Sequence, residues 1–597
     1  MSAARRRKPG VPARRVSSEH SPRKKVEPGQ RASRDDLELH SYEVGAVPLL
    51  NSLLERMRLA EILAEHLPPD DPRTELPTVC ALLVLLRNVL IAREPIYGVA
   101  EWAACFPPDL LDLWDDEVAL LHDDRLGRCL DRLFASTGPE TILAVVRHIV
   151  GEFEVGLDEL HNDSTTVSFY GAYEDAGKEG HQQGRPTPAI TWGHSKDHRP
   201  DLKQLLYTLT ISEDGGVPVY FTTASGNVVD DRTHCQTWDL LHTLVGRPEF
   251  LYVADCKLAS SENLSHIATR GGRFVTVLPR GRSEDIAFRQ RLRAEPSVLK
   301  WTLLYALTND QGHIVDKLFV CGDDHVHSEG YRLFWYCSTC KAEQDKSRRA
   351  RAIQKATEAL SDLRERLQGP RTRFRTRSKV EQALAEILAE AEASSWLLVE
   401  IEEQEEETFR QATRGRPSEQ TQYLRETRSR FTLTWKLNVE SLSEAEREDG
   451  VFPLLTNDRK LSATEVLQAY KRQPLLEKRF SQFKTDFAVA PVFLKNVSRI
   501  QGLLAAYFFA LLVQTLLERE LRQAMARAGE GTLPLYPEAR PCARPTTHRL
   551  IEVFSSIQRH EVRVGEGEAQ VMVTKLTKTQ RSIIRLLGLD PRTYGRA

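Results

Sequence analysis

The chain has 597 residues, more than the roughly 250–300 residues that usually share one hydrophobic core, so several domains or a heavily inserted domain are expected. Its 41% hydrophobic and 28% charged residues are ordinary for a soluble globular protein and exclude wholesale disorder. The net charge of −2 gives no reason by itself to expect a polyanionic partner. Nine irregularly spaced cysteines argue against a disulfide framework, and no apolar segment of secretory type follows the positive start, so we expect a cytoplasmic protein.

Residues 1–38 are predicted to be a disordered basic arm. Residues 1–34 contain eleven Lys or Arg and only two acidic residues, Glu19 and Glu27, with no apolar run. Such a segment suits the phosphate backbone of DNA, and it suits a solubilising tail equally well.

Residues 39–152 are predicted to form an all-α N-terminal domain, because apolar residues such as Val47, Leu50 and Leu54 recur at helical spacing. Helical periodicity does not distinguish a DNA-binding domain from a packing or dimerisation module, so DNA binding is one of two interpretations here.

The sequence becomes strand-like near residue 155. Segments 155–169, 205–211 and 217–221 are rich in β-branched and apolar residues, and a turn at 213–216 separates the last two, which predicts three antiparallel strands. A helix around Trp238 and apolar strands at 250–254 and 274–278 follow. The order β-β-β-α-β-α-β is that of a ribonuclease-H-like fold, and we assign residues 153–299 to the first part of such a core.

Residues 300–449 are predicted to be an α+β insertion, with strands at 301–307, 314–320 and 331–336 before a pair of long charged helices. The core resumes over 450–530 with a short strand and the helix of Glu477. Residues 531–597 form a C-terminal segment with mixed helix and strand signals. The predicted fold class is therefore α/β: a ribonuclease-H-like mixed sheet with an insertion before the Glu477 helix, preceded by an all-α domain.

Two further features have an ordinary and a specialised interpretation. Residues 500–517 lack a formal charge and are about as long as the shortest membrane span, but Gln501 and Gln514 favour a buried core helix. Cys337 and Cys340 form a CxxC pair, yet structural zinc needs four ligands and no second pair is suitably spaced, so ordinary thiols are favoured.

Three acidic residues are the candidates for chemistry. Asp163 lies in the first predicted strand, Asp255 ends the later apolar strand, and Glu477 follows Pro474 at the start of a helix. Carboxylates are the ligands that Mg²⁺ prefers, and two metal ions roughly 4 Å apart can stabilise both the attacking and the leaving oxygen at a phosphodiester. Most acidic residues are simply solvated, so this pattern alone does not decide the function.

Several segments resemble the motifs of DDE-type transposases of bacterial insertion sequences. Asp163-Ser-Thr-Thr166 resembles the Asp-Thr-Thr that opens their catalytic core, residues 253–260 (VADCKLAS) resemble their second aspartate segment, and residues 470–484 (YKRQPLLEKRFSQFK) resemble their Tyr-Arg-Glu-Lys signature. Residues 193–204 and Gly226-Asn227 extend the resemblance to roughly residues 40–520. One position departs from the pattern, because Gln473 stands where the signature has arginine and Arg472 precedes it. The insertion resembles that of the subgroup in which it is β-rich, although here much of it is predicted to be helical.

The resemblance implies cut-and-paste transposition, in which metal-dependent cleavage at the element's ends is followed by strand transfer into target DNA. It implies two Mg²⁺ ions, for which Mn²⁺ can substitute, held by the catalytic residues Asp163, Asp255 and Glu477. It also implies DNA contacts from Tyr470 and Lys484. Arg472, beside the position of the signature arginine, and Lys478 are further candidates for DNA contacts, and a solvated lysine is the equal alternative for Lys478. The implied partners are terminal inverted repeats, target DNA and a second copy in a homodimeric DNA complex, in the bacterial cytoplasm at the nucleoid and away from membranes.

His161 and His194 are expected to be structural or to face DNA rather than to act in catalysis. Two other functions stay open from the sequence. One is a ribonuclease-H-like nuclease that cuts without strand transfer. The other is a catalytically inactive or domesticated DNA-binding protein derived from a transposase.

Overall fold

A computed structural model describes residues 37–594, apart from 175, 229–232, 310, 323–324, 370–371, 488, 490–491, 493 and 565–568. Most of the predicted basic arm, residues 1–36, lies outside this range. The described chain is a mixed α/β protein built around one large mixed sheet.

The N-terminal region consists mainly of helices, as predicted. After a first strand, β1 (Leu37–Glu43), come α1 (Val47–Arg56), α2 (Leu59–His66), α3 (Thr78–Ile91), α4 (Val99–Ala103), α5 (Asp123–Ser136) and α6 (Pro139–Glu152). Strand β1 was not predicted, and most of its side chains are exposed. Strand β1 pairs with residues 558–564 near the other end of the chain, so no local sequence pattern predicts β1.

The central region contains the predicted order of strands and helices. It comprises β2 (Glu159–Phe169), the small hairpin β3 (Gly180–Gln182) and β4 (Arg185–Thr187), β5 (Lys203–Ser212), β6 (Pro218–Ser225), α7 (His234–Val245), β7 (Leu251–Ala254), α8 (Ser261–Thr269), β8 (Arg273–Val277) and α9 (Ser283–Ala294). The β3–β4 hairpin and α9 are additions to the predicted order within 153–299.

The next region holds the predicted strands and helix pair, together with a long hairpin that was missed. Its elements are β9 (Trp301–Thr308), β10 (Ile314–Cys321), β11 (His325–Val326), β12 (Arg332–Ser338), α10 (Thr339–Gln368), α11 (Arg377–Glu390), β13 (Leu397–Gln411), β14 (Tyr423–Leu437) and α12 (Val439–Glu448). Ion pairs across the hairpin, such as Glu406 with Arg430 at 2.5 Å, offset the repulsion between neighbouring acidic residues.

The final region contains β15 (Val451–Thr456), α13 (Ala463–Lys471), α14 (Pro474–Ser481), α15 (Val497–Arg527), β16 (Leu533–Pro534), β17 (Pro541–Cys542), α16 (Thr547–Phe554), β18 (Gln558–Val564), β19 (Gln570–Val573) and α17 (Lys578–Leu586). A π-helical turn, Gln482–Asp486, directly continues α14. Strands β1, β18 and β19 form a separate small sheet that joins the two ends of the described chain.

The large sheet has the strand order β6-β5-β2-β7-β8-β15-β12-β10-β9, and β11 pairs with β12. Strands β2, β7 and β8 are parallel neighbours, whereas the other pairings are antiparallel. Because β15 pairs with both β8 and β12, the strands of the predicted insertion extend the central sheet. The predicted boundary at residue 300 is therefore not a break in the sheet.

Helix α15 forms the centre of the protein. It packs against α3, α5 and β6, and 89% of its most apolar 18-residue window is buried. It is the one helix within the described ranges that is long and apolar enough to cross a membrane, and its burial matches the predicted core helix. Gly502 allows close contact with α5, because a Cβ atom there would lie 2.2 Å from the carbonyl oxygen of Leu130.

Candidate functional site

Asp163 and Asp255 lie side by side on neighbouring parallel strands. The pairing of β2 with β7 ends at Asn162 and Ala254. Asp163 is the residue after Asn162, and Asp255 is the residue after Ala254. The backbone N–H of Lys257 donates a 2.9 Å hydrogen bond to Asp255 Oδ1. The Thr276 hydroxyl of β8 donates to the Asp255 carbonyl oxygen at 2.6 Å, which fixes the turn after β7.

The carboxylate of Asp163 is held by a lysine from another segment. Lys196 Nζ lies 3.3 Å from Asp163 Oδ1 and donates to the carbonyl oxygen and hydroxyl of Ser164 at 2.8 and 2.6 Å. Burial raises the pKa of Asp163, and the charge of Asp255 adds to that increase while Lys196 opposes it. A positive charge close to the Asp163 carboxylate is therefore favourable, because it offsets burial and the negative charge of Asp255.

Glu477 lies in the first turn of α14, a helix that packs against β2 and β5. Local sequence explains this helix, since Pro474 occupies its first position and Leu476, Phe480 and the following Phe483 are buried. The Phe483 ring stacks on Tyr207 of β5 with centroids 4.4 Å apart. The Glu477 side chain itself is exposed.

Tyr470, at the end of α13, is influenced electrostatically by all three acidic residues. Burial raises the pKa of its hydroxyl to about 12, and the charges of Asp255, Glu477 and Asp163 contribute to this increase. One phenol group is thus close enough to each carboxylate to be affected by it. Helix α13 begins at Ser462, whose side chain forms a capping box with Glu465.

The segment that carries Lys196, which we call the lysine loop (residues 193–199), is anchored by close backbone packing. A Cβ atom on Gly193 would lie 1.8 Å from the carbonyl oxygen of Gly226, so glycine is required at this contact. The side-chain amide of Gln204 donates to the carbonyl oxygens of His194 and Gly226 at 3.1 and 2.9 Å. Two segments singled out in the sequence, 193–204 and Gly226-Asn227, are therefore in contact.

Lys484 contacts the same loop. Its ammonium lies 2.5 Å from Asp197 Oδ1, and the hydroxyl of Thr166 donates to Asp197 Oδ2 at 3.3 Å. Glu477 and Lys484 do not belong to one uninterrupted α-helix, because α14 ends at Ser481 and Lys484 lies in the π-helical turn. A π turn accommodates an extra residue and changes the direction of the side chains that follow.

Arg472 and Lys478, both predicted to contact DNA, are bound to acidic groups of the protein. Arg472 forms two hydrogen bonds with Glu159, at 2.6 and 2.5 Å. Lys478 Nζ lies 3.4 Å from Glu518, and burial lowers its pKa despite that partner. Their DNA contacts stay a prediction, and the structure gives both side chains a role in holding helices in place.

His161 is structural, as expected. Its ring is fully buried, with Nδ1 2.9 Å from Gln473 Oε1 and Nε2 2.8 Å from Glu159 Oε1. Gln473 therefore connects the start of α14 to β2. His194 is exposed in the lysine loop.

The donor chemistry of the site suits a hard divalent cation, because Asp163 and Asp255 are adjacent carboxylates and Asp163 is already paired with an ammonium group. Across the part of the chain that the structure describes, however, no three His, Cys, Asp or Glu side chains are grouped closely enough to form a ready metal site. Cys337 and Cys340 are free thiols. A metal at Asp163 would have to displace Lys196.

Neither Lys196 nor Asp197 was predicted to be a functional residue, although both lie in the segment 193–204. The sequence signal that could have identified them is the resemblance of residues 193–204 to a transposase segment, because a lysine and an aspartate in a polar loop are common. Comparison of the sequence with protein-family models and with curated proteins gives no match.

Proposed function

We propose that this protein is a DDE-type DNA transposase with a ribonuclease-H-like core, which cleaves DNA at the ends of an insertion sequence and joins those ends to target DNA. The observation that supports this most directly is the parallel register of β2 and β7, which makes Asp163 and Asp255 neighbours at the point where β7 ends. Helix α14, whose first turn carries Glu477, packs against β2 and β5. Carboxyl ends of parallel strands are common binding sites in α/β proteins.

In this proposal Asp163, Asp255 and Glu477 would hold two Mg²⁺ ions, with Mn²⁺ able to replace them. The metal ions supply stabilisation of the charge that develops on the attacking and leaving oxygens of the phosphodiester. Tyr470 stays protonated at neutral pH, so its hydroxyl can donate a hydrogen bond to a phosphate oxygen. Lys484 supplies a positive charge that a DNA phosphate can share once Asp197 has moved away.

The test uses purified full-length protein and a DNA duplex that carries the terminal inverted repeats flanking its gene. We expect Mg²⁺- or Mn²⁺-dependent cleavage, followed by joining of the free 3′ end to target DNA. Asp163→Asn, Asp255→Asn and Glu477→Gln should each reduce cleavage by about a thousandfold or more, as expected when charge stabilisation at the reacting phosphate is lost. Asp71→Asn, which changes an exposed aspartate of the N-terminal region, is the matched control and should cleave normally.

Circular dichroism and thermal denaturation of each variant must show that folding is retained. Cleavage that persists in all three site variants would contradict the proposal. Cleavage without end joining would identify a nuclease, and specific binding of the repeats without metal-dependent cleavage would identify an inactive DNA-binding descendant.

A further inference from the structure

The lysine loop places one positive and one negative charge against two groups of the proposed catalytic site. Lys196 approaches Asp163 at 3.3 Å, and its immediate neighbour Asp197 contacts Lys484 at 2.5 Å. Each charge is opposite in sign to the group it meets. The loop therefore neutralises a candidate metal ligand and a candidate phosphate contact at the same time.

We propose that the lysine loop is an internal substitute for metal and DNA, in which Lys196 occupies the place of a divalent cation at Asp163 and Asp197 occupies the place of a phosphate at Lys484. This inference rests on the proposed function, whose catalytic residues it uses. It adds a regulatory step, because metal and DNA must each displace one side chain of the loop before the site is complete.

The geometry makes such displacement feasible. The four side chains of the two ion pairs are between 26% and 36% exposed, so water, ions and a ligand can reach them. Ion pairs with this degree of exposure contribute little net stability, because solvent screens them. A divalent cation has twice the charge of an ammonium group, and several phosphates of a duplex compete with one carboxylate.

The anchoring of the loop limits the movement to a few residues. Gly193 and Gln204 hold its base against Gly226, and Thr166 of β2 contacts Asp197. Lys196 and Asp197 lie between Gly193 and Gln204, so their side chains can rotate away while the backbone at Gly193 stays in place. Lys196 then gives up its hydrogen bonds to Ser164, and Asp197 gives up the one from Thr166. The strict packing at Gly193 and Gly226 keeps the two charges aimed at the site when no ligand is bound.

The first experiment measures Mn²⁺ binding to the full chain without DNA, by counting free Mn²⁺ with electron paramagnetic resonance. Lys196→Met removes the competing ammonium and should bind Mn²⁺ about tenfold more tightly than the natural protein. Lys196→Arg keeps the charge and should bind Mn²⁺ as the natural protein does. Lys178→Met changes an exposed lysine that precedes β3 and controls for the loss of one positive charge.

In the same assay, Asp163→Asn distinguishes failure of the lysine-loop role from failure of the proposed metal site. If Asp163→Asn abolishes Mn²⁺ binding but Lys196→Met does not tighten it, the role of the lysine loop is wrong and the proposed metal site survives. If Asp163→Asn binds Mn²⁺ as the natural protein does, Asp163 is not a metal ligand and both proposals fail.

A second experiment tests Asp197 without metal, using fluorescence anisotropy of a 20-base-pair duplex of arbitrary sequence. Asp197→Asn should bind this duplex about fivefold more tightly, because Lys484 becomes available to a phosphate. The gain should disappear when Lys484→Met is added to Asp197→Asn, since the two changes act through one contact. An equal gain in the presence and absence of Lys484 would overturn the inference, as would no gain at all.

Discussion

The guanidinium group of Arg472 forms two hydrogen bonds with the carboxylate of Glu159, which joins the end of α13 to the strand that carries Asp163. Glu159 also accepts a hydrogen bond from His161, and His161 in turn contacts Gln473 at the start of α14. This buried polar network determines where α14, and therefore Glu477, lies relative to β2. Its integrity is thus a condition for the proposed site.

The network should give the protein a specific dependence on pH. Burial alone would raise the pKa of Glu159, but hydrogen bonds from Arg472 and His161, together with their charges, lower it from 4.5 to about 2. A lowered pKa stabilises the folded state above pH 4.5, and this contribution is lost as the pH falls from 4.5 towards 2. This lowering of the Glu159 pKa corresponds to about 3 kcal/mol in the free energy of unfolding.

We therefore expect Glu159→Gln to lower the free energy of unfolding by about 3 kcal/mol at pH 7, and by only about 1 kcal/mol at pH 3. Urea denaturation at several pH values measures both quantities. Glu65→Gln, at an exposed position on α2, should change stability little at either pH. If Glu159→Gln lowers the free energy of unfolding equally at pH 7 and pH 3, Glu159 does not titrate as described.

Close packing of α15 on α5 should make Gly502 intolerant of a side chain. A Cβ atom at this position would meet the carbonyl oxygen of Leu130 at 2.2 Å and its carbonyl carbon at 2.9 Å, so one helix must shift. Gly502→Ala should lower the free energy of unfolding by about 1–3 kcal/mol, measured by urea denaturation.

Gly151→Ala is the matched control for Gly502→Ala. Gly151 lies in α6 with nothing within 4 Å of a Cβ atom, so alanine should be neutral there or stabilising by up to about 1 kcal/mol through its helix propensity. Equal effects of the two substitutions would show that the close contact of α15 with α5 is not what constrains Gly502.

The acidic surroundings of Tyr470 should be measurable directly. With ¹³C-labelled tyrosine, nuclear magnetic resonance should show the Tyr470 hydroxyl titrating with a pKa of about 12, and Tyr470→Phe identifies its signal. Asp255→Asn removes a nearby negative charge and should lower that pKa, because the phenolate form becomes less unfavourable. Burial would still hold it above the usual value near 10.

Asp71→Asn controls for the general effect of losing a negative charge and should leave the Tyr470 pKa unchanged. If Asp255→Asn also leaves it unchanged, the carboxylate of Asp255 does not approach the Tyr470 hydroxyl in solution. The proximity of the acidic residues to Tyr470 would then have no electrostatic support.

The sequence alone was sufficient to predict elements whose signals are local. The continuous apolar run before Asp255 identified β7, the turn at 213–216 identified the hairpin of β5 and β6, and Pro474 marked the start of α14. Each depends on residues within about ten positions of one another, where periodicity and turn chemistry act directly. The three acidic residues could be nominated only because the motifs around them resemble those of a known family.

Tertiary structure alone decided the features that depend on residues far apart in the chain. Strand β1 exists because β18 pairs with it, and the Glu-rich strand β13 is matched by arginines that become its neighbours only in the hairpin register. The contacts of Lys196 with Asp163 and of Asp197 with Lys484 likewise require the packed backbone at Gly193 and Gly226. Local patterns determine which segments become helices and strands, whereas close approach, charge pairing and burial are properties of the assembled chain.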